Sequence, residues 1–218
     1  MSELAGRELE GKAALVTGAA GPMGLAAAHA LAVAGCRVAL VDLAGERLER
    51  AAGAVDDGVA FAADLTSTDG IPALVGRIES RLGRVAILVN NAGVLSNTKS
   101  QATDEAEWRR VLSINLDAAF FLARALIPAM KQLRWGRIIN TTSLAAKTGG
   151  LTAGTAYAVS KGALSAMTFS LARELAADGV TVNGIAPAYV RTPMITEGLT
   201  EAQRQALLND PGRQLLRA

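Results

Sequence analysis

Short apolar runs of strand length alternate with longer amphipathic stretches along almost the whole of this 218-residue chain, and that rhythm restricts its fold more than any other feature. Strand-like runs cover 13–17, 37–41, 59–62, 85–90, 137–142 and 180–186. Helical patterns lie between them, from the first glycine turn to about Ala34 and then over 45–52, 69–82, 106–133 and 155–177. Runs without a polar face suit strands buried on both sides, and long crossovers between them suit parallel pairing. The prediction is an α/β, Rossmann-type doubly wound parallel sheet with right-handed crossovers, formed as a single domain over 1–218. In such sheets ligands lie beyond the carboxyl ends of the strands, so the polar strand exits are the places to read for function.

Composition narrows the function classes. Half the residues are hydrophobic but only 4% are aromatic, so alanine and glycine fill much of the interior and helices can approach the sheet closely. With 22 basic and 20 acidic residues, the net charge of +2 offers no basic stripe for nucleic acid. The lone cysteine, Cys36, excludes an internal disulfide and reads as a small core filler. The lone histidine, His29, reads as a helix-side residue and cannot make a metal site by itself. The polar, charged first dozen residues do not form a signal peptide, and no uncharged apolar run approaches membrane-spanning length. A cytoplasmic protein without a membrane partner is expected.

Chemistry collects at the strand exits. The first, Thr17-Gly18-Ala19-Ala20-Gly21-Pro22-Met23-Gly24, is a glycine-rich turn opening a helix. Its backbone and the positive helix N-terminus suit a pyrophosphate, with Gly18, Gly21, Met23 and Gly24 the expected contacts. Asp42 follows the second strand eighteen residues after Gly24, close to the spacing at which an acid reaches ribose hydroxyls; the alternative is a cap on the helix turn that follows. Its carboxylate would repel a 2′-phosphate and the glycine loop carries no Lys or Arg, so NAD is favoured over NADP. Asp64, followed by Leu65, either accepts from an adenine amino group or caps its own turn. Asn90-Asn91-Ala92-Gly93 suits backbone contacts to a nucleotide, or only a turn. Asn115 is an amide amid apolar helix residues, in either a bridging or a core role.

The fifth exit and the next helix carry the groups that could move a proton. Tyr157 and Lys161 are four apart, so a helix presents both on one face, and Ser143 lies fourteen residues upstream. An ammonium about 5 Å from a phenol, at an effective dielectric of about 20, contributes roughly 3 kcal/mol toward the phenolate. Lowering a phenol pKa by 2 to 3 units needs about that much. The plainer reading is a surface helix pair.

Together these residues resemble the short-chain dehydrogenase/reductase family in its common soluble subgroup, near the 3-oxoacyl-carrier-protein-reductase-like members. The match rests on Thr17-Gly18, Gly24, Asn90-Asn91-Ala92-Gly93, Asn115, Ser143, Tyr157, Lys161, Asn183, Pro187 and Thr192 in the family's order. The resemblance implies an NAD-dependent oxidoreductase interconverting a secondary alcohol and a ketone. In that case Tyr157 is the proton donor or acceptor and Lys161 lowers its pKa and binds the nicotinamide ribose. Ser143 orients the substrate oxygen, and Asn115 organises a relay water with Lys161. Asp64 and Leu65 flank adenine, Thr192 holds the carboxamide, and Pro187 and Val190 line the nicotinamide site. Pro22 and Ala188 stand where relatives carry glycine. The segment 193–209 reads either as a substrate lid or as a surface helix covering the sheet, and 210–218 as an atypical tail where relatives continue into a further helix and a seventh strand. The early stop predicts a homo-oligomer with damaged tetramer contacts. It also keeps a second reading alive, a dinucleotide-binding protein with impaired turnover.

Overall fold

The computed structural model describes residues 8–150, 153–188, 190, 200, 202 and 205. Six strands form one parallel sheet: β1 (Ala13–Thr17), β2 (Arg37–Asp42), β3 (Gly58–Ala62), β4 (Val85–Asn90), β5 (Gly136–Thr141) and β6 (Val180–Ile185). Their spatial order is β3-β2-β1-β4-β5-β6. The chain first builds outward from β1 to β3, then returns to the other side of β1, so the order reverses between β1 and β4. That crevice is where a doubly wound sheet leaves room for a ligand.

Every residue of β1 and β4 is buried, because these central strands are covered on both faces. Successive side chains of a strand point to opposite faces. Ala13 and Leu15 accordingly enter one core layer, with Leu88, Leu122, Leu126 and Leu171. Ala14 and Val16 enter the other, with Ala28, Leu40, Leu48 and Val89. The second layer is covered by α1 (Pro22–Val33) and α2 (Glu46–Gly53), the first by α3 (Ile71–Leu82), α5 (Ala118–Leu133) and α7 (Thr155–Leu175). Cys36 is buried in the second layer and burial raises its thiol pKa, as a structural cysteine should behave. His29 is exposed on α1.

One departure from the sequence reading concerns the expected helix over 106–133. It begins as α4 (Glu105–Leu112), capped by the Asp104 carboxylate, which accepts from the Glu107 N–H at 2.8 Å. It then widens into a π-helical turn over Ser113–Asp117 before α5 continues it. In addition, the continuous stretch Glu105–Leu133 has a mean hydropathy of 1.5 in its most apolar window, enough by composition to cross a membrane. Asp117, Arg124 and Lys131 interrupt the stretch, so it holds no uncharged run of that length, as the sequence reading has it. In this fold the helix spends its apolar face on the sheet, where Ala118, Leu122, Leu126 and Met130 are buried. A short helix not foreseen, α6 (Ala145–Thr148), follows β5. The expected lid at 193–209 and tail at 210–218 lie outside the described residues, apart from 200, 202 and 205.

Candidate active site

The β1 and β4 exits are sewn together. Thr17 Oγ1 accepts the N–H groups of Asn91 at 3.0 Å and Ala92 at 2.9 Å, and donates to the Val89 carbonyl at 3.3 Å. Asn91 Nδ2 donates in turn to the Thr17 and Gly18 carbonyls. Gly18 has φ +62°, and a Cβ there would meet Ala92 Cα at 2.9 Å. A Cβ on Gly24 would collide with the Gly18 carbonyl oxygen, so α1 can begin against the turn only because Gly24 lacks one. Gly24 is buried behind the turn and does not line the cleft.

Asp42 is locked to this turn. Its two carboxylate oxygens accept the N–H of Ala20 at 2.9 Å and of Leu43 at 2.8 Å. Asp64 caps its own turn, accepting from the Thr66 N–H and hydroxyl at 2.9 and 2.7 Å, and those bonds hold its pKa below the usual carboxylate value. Of the two readings left open for Asp64, the cap is present, and the residue also borders the cleft.

A cleft of about 1230 Å³ runs along these exits. That exceeds the usual 300–1,000 Å³ of a small-ligand pocket and leaves room for a dinucleotide with a substrate. Gly18, Gly21, Met23, Asp42, Asp64, Leu65, Asn91, Ala92 and Gly93 line one part of it. Ser143, Tyr157, Lys161, Pro187 and Val190 line the other. Thr192 lies outside the described residues. Sequence reasoning missed Arg47 and Arg50, which share the wall with Asp42; only the glycine loop was searched for cations, and these sit on the first turns of α2. Arg50 pairs with Glu46 at 3.1 Å.

Asn115 sits one layer behind the cleft, 1% exposed, in the π turn. Its Oδ1 accepts the Val94 N–H at 2.8 Å, and its Nδ2 donates to the Val94 carbonyl and to Ser160 Oγ, both at 3.0 Å. It is a buried core amide that also bridges the Val94 loop to α7, so both of its readings describe it. Ser160, a member of the motif to which no role was given, donates onward to the Tyr157 carbonyl at 2.8 Å.

Tyr157 and Lys161 face the same cleft from α7, with Lys161 Nζ 6.0 Å from the phenol ring centroid. Nζ is 2.7 Å from the Thr141 carbonyl, to which it donates. Burial pushes the Lys161 pKa down to about 8, which still leaves roughly nine-tenths of it charged at pH 7. The expected lowering of the Tyr157 pKa is not what this arrangement gives. Burial raises the phenol above its ordinary value, and a hydrogen bond with Ser143 acts in the opposite direction with smaller effect. The ammonium spends its bond on a carbonyl oxygen, so desolvation dominates the phenol. Gly93 keeps the floor open here: a Cβ would stand 3.2 Å from Asn115 Oδ1 and 3.4 Å from Lys161 Nζ.

A doubly wound sheet whose cleft opens at the reversal of strand order, with a glycine turn at one end, is the architecture of dinucleotide-binding proteins. The chain belongs to the short-chain dehydrogenase family of oxidoreductases: the family's model matches residues 12–203. Nodulation protein G of a Rhizobium species is 40% identical over 202 residues, covering 92% of this chain and 82% of that protein. The 3-oxoacyl-acyl-carrier-protein reductase FabG of Vibrio cholerae is 39% identical over 204 residues, with 92% and 82% covered. D-beta-hydroxybutyrate dehydrogenase of Rhizobium meliloti is 36% identical over 213 residues, with 88% and 80% covered. A crystal structure from Sinorhizobium meliloti 1021, assigned to the short-chain alcohol dehydrogenases, superposes with a TM-score of 0.84 at 37% identity, covering 91% of this chain and 80% of that one.

Proposed function

We propose that this protein is an NAD(H)-dependent oxidoreductase that interconverts a secondary alcohol and a ketone. The observation that carries the reading is the convergence of Ser143, Tyr157 and Lys161 on the cleft whose other part is formed by the glycine turn and Asp42. A bound nicotinamide supplies or accepts the hydride, and the chain supplies alignment and a placed proton. In the reductive direction the Tyr157 phenol gives its proton to the carbonyl oxygen as that oxygen gains charge; in oxidation the phenolate takes it back. The raised phenol pKa keeps Tyr157 protonated and ready to donate at neutral pH. Ser143, hydrogen-bonded to the phenol, holds the substrate oxygen beside it. Lys161 anchors a ribose hydroxyl and stabilises the phenolate formed in the step. Asn115 acts from behind, fixing the Val94 loop and Ser160 relative to α7.

The fixing of the Asp42 carboxylate by two backbone N–H groups supports a role in accepting from ribose hydroxyls and repelling a 2′-phosphate. Arg47 and Arg50 in the same wall support a second reading, in which NADP(H) is the cofactor. Thermal shift with NADH against NADPH separates the two, because the tighter ligand raises Tm more at equal concentration. The substrate side, with Val94, Leu95, Ile114 and Ala188, suits a largely apolar ketone. The names of two relatives add 3-oxoacyl and 3-hydroxy acid compounds to the set worth assaying. Exposed Phe169, Phe120 and Val159 on α5 and α7 support self-association.

The deciding experiment is NADH consumption over a panel of ketones. Tyr157→Phe should cut turnover by about 10²- to 10⁴-fold, the usual worth of a placed general acid, while NADH binding changes little. Equal rates in the two proteins would overturn the proposal.

A further inference from the structure

We infer that the Thr141 hydroxyl is a binding group for the nicotinamide-riboside end of the dinucleotide, an inference that rests on the function proposed above. Thr141 closes β5, is 8% exposed, and lines the cleft. Its Oγ1 is buried and has no hydrogen-bond partner. Every neighbouring polar side chain on this exit is engaged. Asn140 accepts from Asn90 Nδ2 and donates to Thr168 Oγ1, each at 2.9 Å. Thr142 donates to the Ile185 carbonyl at 2.8 Å, and Ser143 accepts the Ala145 N–H at 3.1 Å. Asn90 also carries a buried oxygen without a partner, but it does not line the cleft.

A buried hydroxyl without a partner loses its water and gains nothing in return. Such a group calls for a reason, and a ligand that completes its bonding is one. The location identifies the ligand's end. The carbonyl of this same residue holds Lys161 Nζ at 2.7 Å, so the orphan hydroxyl belongs to the residue that already positions the ammonium beside Tyr157. The glycine turn and Asp42, which suit the pyrophosphate and adenosine, lie on the β1 and β2 exits instead. A hydroxyl can both donate and accept, which matches the ribose hydroxyls and carboxamide of a nicotinamide riboside.

The test compares Thr141→Val, which keeps the shape and deletes the hydroxyl, with Thr141→Ser, which keeps the hydroxyl. Melting of the ligand-free protein and calorimetric binding of NADH and of AMP are read on each. The expected result is that Thr141→Val raises Tm by about 2–4 °C and weakens NADH by roughly 5- to 20-fold. AMP affinity should be unchanged, and Thr141→Ser should bind NADH as the wild type does. A Thr141→Val protein that melts lower or does not fold shows the hydroxyl to be satisfied within the free protein, and overturns the inference. Unchanged NADH affinity, or an equal loss for AMP, overturns it too. A wild-type protein that binds no dinucleotide removes the proposed function as well, whereas a null result confined to the Thr141 comparison removes this inference alone.

Discussion

The two halves of the cleft are built by opposite rules. On the β1–β2 side, polar groups are paired before any ligand arrives. Thr17 makes three hydrogen bonds, Asn91 bridges to two carbonyls, and both oxygens of Asp42 are held. On the β5–α7 side the structure carries costs. An ammonium is buried, a phenol is pushed up by desolvation, and a hydroxyl is left alone. The first half is a preformed mould and the second a set of groups awaiting a partner. A protein of marginal stability can tolerate such costs only where they are few. Their concentration around Lys161, which bonds the Thr141 carbonyl and lies 6.0 Å from the Tyr157 ring centroid, marks this half as the candidate chemical end of the cleft.

The contrast can be broken experimentally, most severely at Lys161. Its folded pKa of about 8 lies below the ordinary 10.5, so between those values the unfolded chain binds more protons than the folded one. Stability therefore gains a contribution as pH rises through that window, on the order of 3 kcal/mol in total. Above pH 10 the raised pKa of Tyr157 acts the other way, since there the folded state holds the extra proton. Denaturant melts of wild type and Lys161→Met from pH 7 to 10 should show the rise in the first and not in the second. A parallel pair of curves would mean that the lysine carries no desolvation cost.

A pair of threonines sharpens the point. Thr17→Val strips the partner from two N–H groups and should cost about 2 kcal/mol, read as a lower denaturant midpoint at unchanged m. That is the opposite sign from Thr141→Val, although both residues are buried threonines at the end of a parallel strand. The same sign for both would erase the distinction between the two halves. The smallest expected effect is at Asp42. Asp42→Asn removes the charge proposed to face the ribose, and the NADPH-to-NADH affinity ratio should rise about 10-fold, equivalent to roughly 1.4 kcal/mol. No change in that ratio would locate cofactor choice elsewhere, with Arg47 and Arg50 the next residues to vary.

Much of this was legible in the sequence because central parallel strands must be apolar throughout. The runs at 13–17 and 85–90 coincide with β1 and β4, and β6 differs from its predicted span by one residue. Tyr157, Lys161 and Ser143 were legible through helical spacing and their place after a strand. The π turn at Ser113–Asp117 was not, since it depends on a widened hydrogen-bond register that residue types do not encode. Arg47 was missed because its neighbourhood with Asp42 comes from the way α2 begins over the cleft. The direction of the Tyr157 shift was missed because charge spacing can be read from sequence, while the depth of burial and the lysine's choice of a carbonyl partner cannot.

The grip of Asn115 on Val94 from both sides has a mechanical consequence. Because the same amide holds Ser160, and Ser160 bonds back to the Tyr157 carbonyl, the loop after β4 and the first turns of α7 are geared together. A ligand that presses Val94 aside must pull on the helix that carries the phenol. On the proposed function, crowding at the substrate side would be felt as misalignment of the phenol, and an ill-fitting molecule would lose turnover as well as binding.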